Sequence, residues 1–458
     1  MSLYRQLNAR EAEGRPIRVG VVGAGKFGTM FLAQALRLPG IHVLGIADLA
    51  PDRAKSNLDL AGWPAERYAA VTLDDALATG ASHVGEDVNA LLAHPAVEIV
   101  VECTGDPIVA VEHLLAAFAA GKHAISATVE ADAVCGAALA RRAREAGVVY
   151  SMAYGDQPAM TCELVDWART CGFEVIAAGR GHKWRPDYRF STPDTVWDHW
   201  GLTAEQAARG RLNPKMFNSF LDGTKPAIES AAIANACGLD APSHGIAYPS
   251  GSIDDLPHLM RPVSDGGVLE GAGRVEVLNS LDSDGQEIPY DIRMGVWVVV
   301  RAVTDYQRNC FEEYKVRTDD TGRYIAAYKR WHLIGLELGI SVASVGLRGE
   351  ATGTAEEFRA DVVAVAKRDL APGEVLDGEG GFTVAGQLRP ASVSVGMGAL
   401  PLGLTGGATV VRPVATDQVL TYADVRLAEA TKALDLRREL EATIAQKRPS
   451  AASDTSAS

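Results

Sequence analysis

Gly23, Gly25 and Gly28 constrain this chain more than any other feature, because of what flanks them. The apolar run over 17–22 reads as a buried parallel strand, 26–38 as a helix, and 41–47 as a second strand ending at Asp48. Glycines spaced G-x-G-x-x-G between strand and helix make a tight turn, admit a pyrophosphate to the backbone and let the helix pack on the sheet. The helix N-terminus adds free N–H groups for the anion. A dinucleotide is therefore expected on Gly23, Gly25, Lys26, Phe27 and Gly28. Asp48 is placed for adenosine ribose hydroxyls, which favours NAD, whereas Arg53 and Lys55 suit the 2′-phosphate of NADP. The choice between NADP and NAD stays open.

The alternation continues. Strands are expected over 97–102, 122–128 and 148–153, with helices over 108–120 and 131–146. This is an α/β, Rossmann-type doubly wound parallel sheet, in which ligands lie beyond the carboxyl ends of the strands. Thr104, Gly105 and Thr128 are thus expected to bind cofactor, and Asp156 and Gln157 to face substrate.

Beyond residue 155 the pattern changes. A helix over 159–171 and a strand over 173–178 precede a run holding Arg180, His182, Lys183 and Arg185 just past the strand end. Such a cluster suits a phosphate or carboxylate, with surface charge pairing the alternative. Residues 213–230 read as one kinked helix with Ser219, Asp222, Lys225 and Glu229 on one face, weakened by Gly223 and Pro226. Residues 239–284 read as loop, 292–303 as a long strand that offers an intersubunit sheet, and 324–337 as strand running into helix. A weak repeat relates 362–376 to 411–420, with an acidic glycine loop over 377–381 between the copies. Residues 422–446 read as an amphipathic helix and 447–458 as a disordered tail.

Acid–base chemistry beside a nicotinamide needs a proton donor, and Lys225 is the first candidate, with Asp222 and Glu229 as catalytic partners. Asp222 and Glu229 are also candidate ligands for Mg²⁺ or Mn²⁺, with ion pairing to the lysine as the alternative. The candidate substrate-binding set is Asp156, Gln157, Lys183, Arg185, Lys215 and Ser219. A net charge of -14 argues against nucleic acid and anionic lipid as partners. The start lacks a signal-peptide core and no apolar run reaches membrane-spanning length, so a cytoplasmic protein is expected. The six cysteines show no metal spacing and read as free thiols.

The glycine fingerprint, the Glu102–Gly105 and Tyr154–Pro158 turns, the Phe220–Lys225 segment with Glu229, and 328–337 resemble the deoxyxylulose phosphate reductoisomerase-like (DRL) oxidoreductases. The N-terminal part is also similar to homoserine dehydrogenases, and the C-terminal repeat looks like a SAF domain of the β-clip type. The resemblance implies a Rossmann domain over 1–155, an α+β catalytic domain over 156–350, a SAF-like domain over 351–421, and a terminal helix and tail over 422–458. It implies an NADPH-dependent, metal-assisted homo-oligomeric enzyme on a small, phosphorylated or acidic substrate. Some members convert deoxyxylulose phosphate to methylerythritol phosphate for isoprenoid synthesis. A hydroxy-acid, sugar-acid or amino-alcohol dehydrogenase is the alternative, and a cofactor-loaded sensor without turnover a further one.

Overall fold

The computed structural model describes residues 2–210 and 212–447. Six strands, β1 (Ile17–Val22), β2 (Ile41–Ala47), β3 (His83–Gly85), β4 (Ile99–Glu102), β5 (His123–Ser126) and β6 (Tyr150–Met152), form one parallel sheet in the order β3-β2-β1-β4-β5-β6. β1 and β4 are almost wholly buried because helices cover both faces, which is why they read as unbroken apolar runs. The order reverses between β1 and β4, and the crevice there opens at Gly23 and Cys103.

A second sheet follows, built from β7 (Glu174–His182), β8 (Arg274–Asn279), β9 (Val296–Arg301) and β10 (Tyr324–Lys329) in the order β10-β9-β7-β8. Several sequence expectations are corrected here. β7 continues through the cationic run to His182, so Arg180 and His182 alternate inward and are buried, whereas Arg185 is exposed. β8 lies inside the stretch read as loop, and β9 is flanked on both sides, so its own edges are not free for a partner's strand. The helix expected after β10 begins only at Gly339, following an irregular turn over 330–338.

The segment read as one kinked helix is two, Pro214–Leu221 and Thr224–Cys237. Gly223 joins them at φ 86°, a left-handed conformation that side chains resist, and Pro226 falls in the first turn of the second helix, where its missing N–H costs nothing. The second helix is buried along nearly its whole length and packs against β7 and β8 and against the helices Val129–Glu145 and Gln157–Thr170.

The C-terminal repeat forms a small β module around β11 (Ala360–Ala366) and β12 (Val384–Pro390). Its two copies meet through isolated bridges, Val365 to Val419 and Leu370 to Val414. The final helix is Lys432–Lys447, shorter than expected because 422–426 form a 3-10 turn and a two-residue strand. Its buried Arg437 is bidentate to buried Asp361, with Nη1 to Oδ1 at 2.8 Å, and ties that helix to β11. The tail expected to be disordered lies almost wholly outside the described residues. No helix among the described residues is long and apolar enough to cross a membrane.

Candidate active site

The glycine turn has the geometry its spacing implied. A Cβ at Gly28 would stand 2.3 Å from the Gly23 carbonyl oxygen, so only glycine lets the helix Lys26–Ala35 start this close to β1. A Cβ at Gly25 would meet nothing within 4 Å, which leaves open space at the helix N-terminus of the kind an anion needs. Lys26 and Phe27 occupy the first turn, and the 330–338 turn presses on it through Gly335 against the Phe27 carbonyl.

Asp48 is buried, and its carboxylate braces the turn. Oδ2 accepts from Ala24 N at 2.8 Å, while Oδ1 accepts from Ala50 N at 2.8 Å and from Arg53 Nη2 at 3.1 Å. The Arg53 side chain remains 60% exposed at the rim. Across the crevice, buried Glu102 organises the other expected cofactor residues. It accepts from Thr104 N at 3.1 Å and Thr128 Oγ1 at 2.6 Å, and Gly105 N donates to Thr128 Oγ1 at 3.0 Å. These residues fit a dinucleotide: an open glycine cradle at a helix N-terminus, and two polar turns fixed by one carboxylate.

Beyond the ends of β5 and β6, Lys225 Nζ is ion-paired with Glu130, which projects from the helix Val129–Glu145. Burial pulls the Lys225 pKa down, but the carboxylates of Glu130, Glu379 and Asp156 more than offset this and hold it above the ordinary lysine range. Asp156 caps the helix Gln157–Thr170 by accepting from Gln157 N at 2.8 Å. Gln157 Nε2 donates to Gly295 O at 2.9 Å, and its buried Oε1 has no protein partner.

The other residues expected on the Lys225 face do not share its partner. Asp222 Oδ2 accepts from Lys367 Nζ at 2.9 Å, both side chains being fully buried, and Glu229 is ion-paired with buried Arg180. Each carboxylate has its own cation. Among the described residues no group of three or more His, Cys, Asp or Glu side chains is arranged to hold a metal ion. Asp222 and Glu229 therefore do not fit the divalent-metal site suggested for them. Ser219 is buried and donates to Met216 O at 2.8 Å.

The expected anion anchors also separate. Arg185 is exposed and bonds Asp187 at 3.0 Å, and Lys215 is exposed and donates to Asp377 O at 2.8 Å. Lys183 is half-buried. His182 Nε2 lies 2.8 Å from Phe220 O, and burial with the neighbouring Arg180 charge drives its pKa down to about 3. It is a neutral hydrogen-bond donor at physiological pH. Arg180, by contrast, faces Asp156 and Tyr248 across the site; burial lowers it to about 10, so it stays cationic.

Sequence reasoning missed four contributors, Tyr248, Trp184, Lys367 and Glu379. Tyr248 adopts φ 52° and stacks on Trp184 with ring centroids 4.4 Å apart, forming an aromatic wall at Gly223; Trp184 Nε1 is buried without a partner. A non-glycine residue held at positive φ marks a backbone that its surroundings over-determine. Lys367 and Glu379 come from the C-terminal module. Only the Asp377–Gly381 loop signalled them, since an acidic side chain amid glycines suits a tip that enters another site.

Comparison with known families agrees with this layout. Residues 23–152 match the NAD-binding domain of homoserine dehydrogenase, 155–338 the catalytic domain of oxidoreductase DRL, and 361–426 the SAF domain. The chain is an NAD(P)-dependent oxidoreductase. Its three matched regions follow the domain series that the resemblance implied. No curated protein matches this oxidoreductase significantly. Among solved structures it is similar to a homoserine dehydrogenase from Thiobacillus denitrificans, at 16% identity and TM-score 0.41 over 72% of this chain and 74% of that one. Similarity to biliverdin reductase from Synechocystis sp. PCC 6803 is 19% identity and TM-score 0.24, over 37% of this chain and 48% of that one. For scyllo-inositol dehydrogenase from Lactobacillus casei the figures are 15% and 0.24, over 37% and 46%. All three are too distant to bear on the substrate.

Proposed function

We propose that this oxidoreductase transfers hydride to the carbonyl carbon of a small hydroxy-carbonyl compound, with Lys225 as the proton donor. Bound NAD(P)H supplies the hydride. The observation that carries the reading is the enclosed Glu130–Lys225 pair beyond the strand ends that line the cofactor crevice. Glu130 keeps the lysine charged and fixes its direction, so the ammonium can stabilise and then protonate a developing alkoxide. Asp156 and Arg180 set opposite charges on either side, which suits a substrate with adjacent hydroxyl and carbonyl groups. Tyr248, Trp184 and the half-buried His332 offer apolar walls and hydrogen-bonding edges around it.

NADPH is the cofactor we infer. Both Asp48 oxygens are already engaged by the chain, and the Arg53 guanidinium beside them is exposed where a 2′-phosphate would lie. A homo-oligomer is the inferred assembly, because the edge strand β10 and the turn after it expose Tyr328 at 42%, Trp331 at 64% and Leu333 at 52%.

Deoxyxylulose phosphate is the substrate to test first, given the DRL match over 155–338. NADPH oxidation is followed with this compound, with and without Mg²⁺, in wild type and Lys225→Ala. The expected result is turnover that falls about 10²–10⁴-fold in the variant while NADPH affinity is kept. Carbon-isotope tracing then separates rearrangement of the skeleton from simple reduction. Wild-type turnover retained by Lys225→Ala would overturn the lysine's role, and a silent wild type that binds NADPH would redirect the search to sugar acids.

A further inference from the structure

The C-terminal module reaches the catalytic lysine through one turn, residues 377–381. Its backbone is held by Asn218 and Lys215 of the catalytic domain and by the module's own Lys367, which also reaches that domain. Asn218 Nδ2 donates to Gly380 O at 2.9 Å and Gly381 O at 3.2 Å. Lys367 Nζ donates to Gly381 O at 2.9 Å, Ser191 O at 2.6 Å and Asp222 Oδ2 at 2.9 Å, and Lys215 closes the outer edge on Asp377 O. Asn218 and Lys367 are buried, so these are bonds the folded chain keeps.

The residue so positioned is Glu379. It lines a small cavity with Glu130, Ile228 and Val362, and it is only half-buried where Glu130 is enclosed. The groups that face it are Glu130 from the helix Val129–Glu145, Lys225 from Thr224–Cys237, Asp222 at the break between helices, and Ser219 from Pro214–Leu221. A carboxyl group carried by a half-buried residue and held beside a buried carboxylate–lysine pair is placed to pass protons into that pair.

Resting on the reading of Lys225 as proton donor, we propose that the C-terminal module completes the active site by holding Glu379 beside the Glu130–Lys225 pair, where its carboxyl group restores the proton that Lys225 gives to substrate. The balance is simple. The carbonyl carbon accepts hydride and its oxygen takes a proton from Lys225 Nζ. The neutral amine takes the Glu379 carboxyl proton, and the Glu379 carboxylate recovers one from solvent. One hydride and one solvent proton are consumed for each carbonyl reduced. Glu379 acts through Lys225 and is a positioning residue for the proton.

The electrostatics agree. Burial and the Glu130 carboxylate push the Glu379 pKa up to about 8, against the opposing pull of Lys225. At neutral pH Glu379 therefore carries a proton to give.

The test uses the full-length protein and Glu379→Gln. Infrared difference titration, wild type minus variant, should show a carboxylic acid component that is lost as pH rises through about 8, above the titration of the buried Asp132 and Glu276 that both proteins keep. Where deoxyxylulose phosphate is turned over, Glu379→Gln should lower kcat about 10-fold or more and raise the solvent deuterium isotope effect, with KM for NADPH unchanged. Formate should restore turnover to Glu379→Ala, which a merely structural role would not allow. If that substrate is inert, the substrate reading falls, and the infrared titration alone still decides the proton on Glu379. Identical carboxyl titrations in wild type and Glu379→Gln, or an unchanged pH–rate profile in the variant, would overturn the proposal.

Discussion

Lys367→Met isolates what joins the C-terminal module to the catalytic domain. The Lys367 side chain is fully buried and donates to two carbonyl oxygens and to the Asp222 carboxylate. Methionine fills nearly the same volume, so packing loss is small, but the Asp222 carboxylate is left buried with only the hydroxyl and amide neighbours of Thr224. Burial already pushes the Asp222 pKa above its ordinary value and Lys367 works against that push, so removing the lysine drives the carboxyl to protonate. Breaking one side of a buried pair costs about 3–5 kcal/mol. For a chain this size unfolding as one unit, an unfolding entropy of about 1 kcal/mol/K makes that a fall of about 3–5 °C in Tm. The assay is differential scanning calorimetry at pH 7.5 on wild type, Lys367→Met, Asp222→Asn and the double variant. The double variant should be more stable than Lys367→Met, because no charge is then stranded. A Lys367→Met midpoint within 1 °C of wild type would refute the reasoning, as would strictly additive effects.

Three further outcomes are expected. Gly28→Ala sets a methyl against the Gly23 carbonyl, displaces the helix start and should abolish NADPH-induced thermal stabilisation; normal stabilisation would show that the turn can yield. Arg53→Ala should raise KM for NADPH well above its effect on NADH, whereas equal effects would place the 2′-phosphate elsewhere. Asp132 accepts from Tyr150 Oη at 3.0 Å with its other oxygen unpartnered, and burial lifts its pKa from 3.8 to about 7. The folded state thus holds a proton that the unfolded state loses, so stability declines as pH rises from about 4 to 7, by up to about 4 kcal/mol. Asp132→Asn should flatten the Tm–pH curve over that window and stand above wild type at pH 8; parallel curves would refute it.

The sequence by itself determined the parts whose physics is local. The strand–glycine–helix order placed Gly23, Gly25 and Gly28 correctly, since tight turns and close helix packing depend on residues a few positions apart. The apolar runs likewise marked five of the six parallel strands, missing only the three-residue edge strand His83–Gly85, and the alternation of element types marked the doubly wound sheet. Charges were another matter. Ser219, Asp222, Lys225 and Glu229 looked like one functional face, but a left-handed Gly223 turned the chain between them, and each ionised member found a partner far away in sequence. Arg180 and His182 looked like a surface clamp until β7 ran two turns of its pleat further and carried them inward. Glu379 and Lys367 lie more than a hundred residues from Lys225 and Asp222, the groups they respectively face. Which carboxylate meets which cation is set by desolvation summed over the whole packed interior, and that sum exists only once the three parts of the chain have closed on one another.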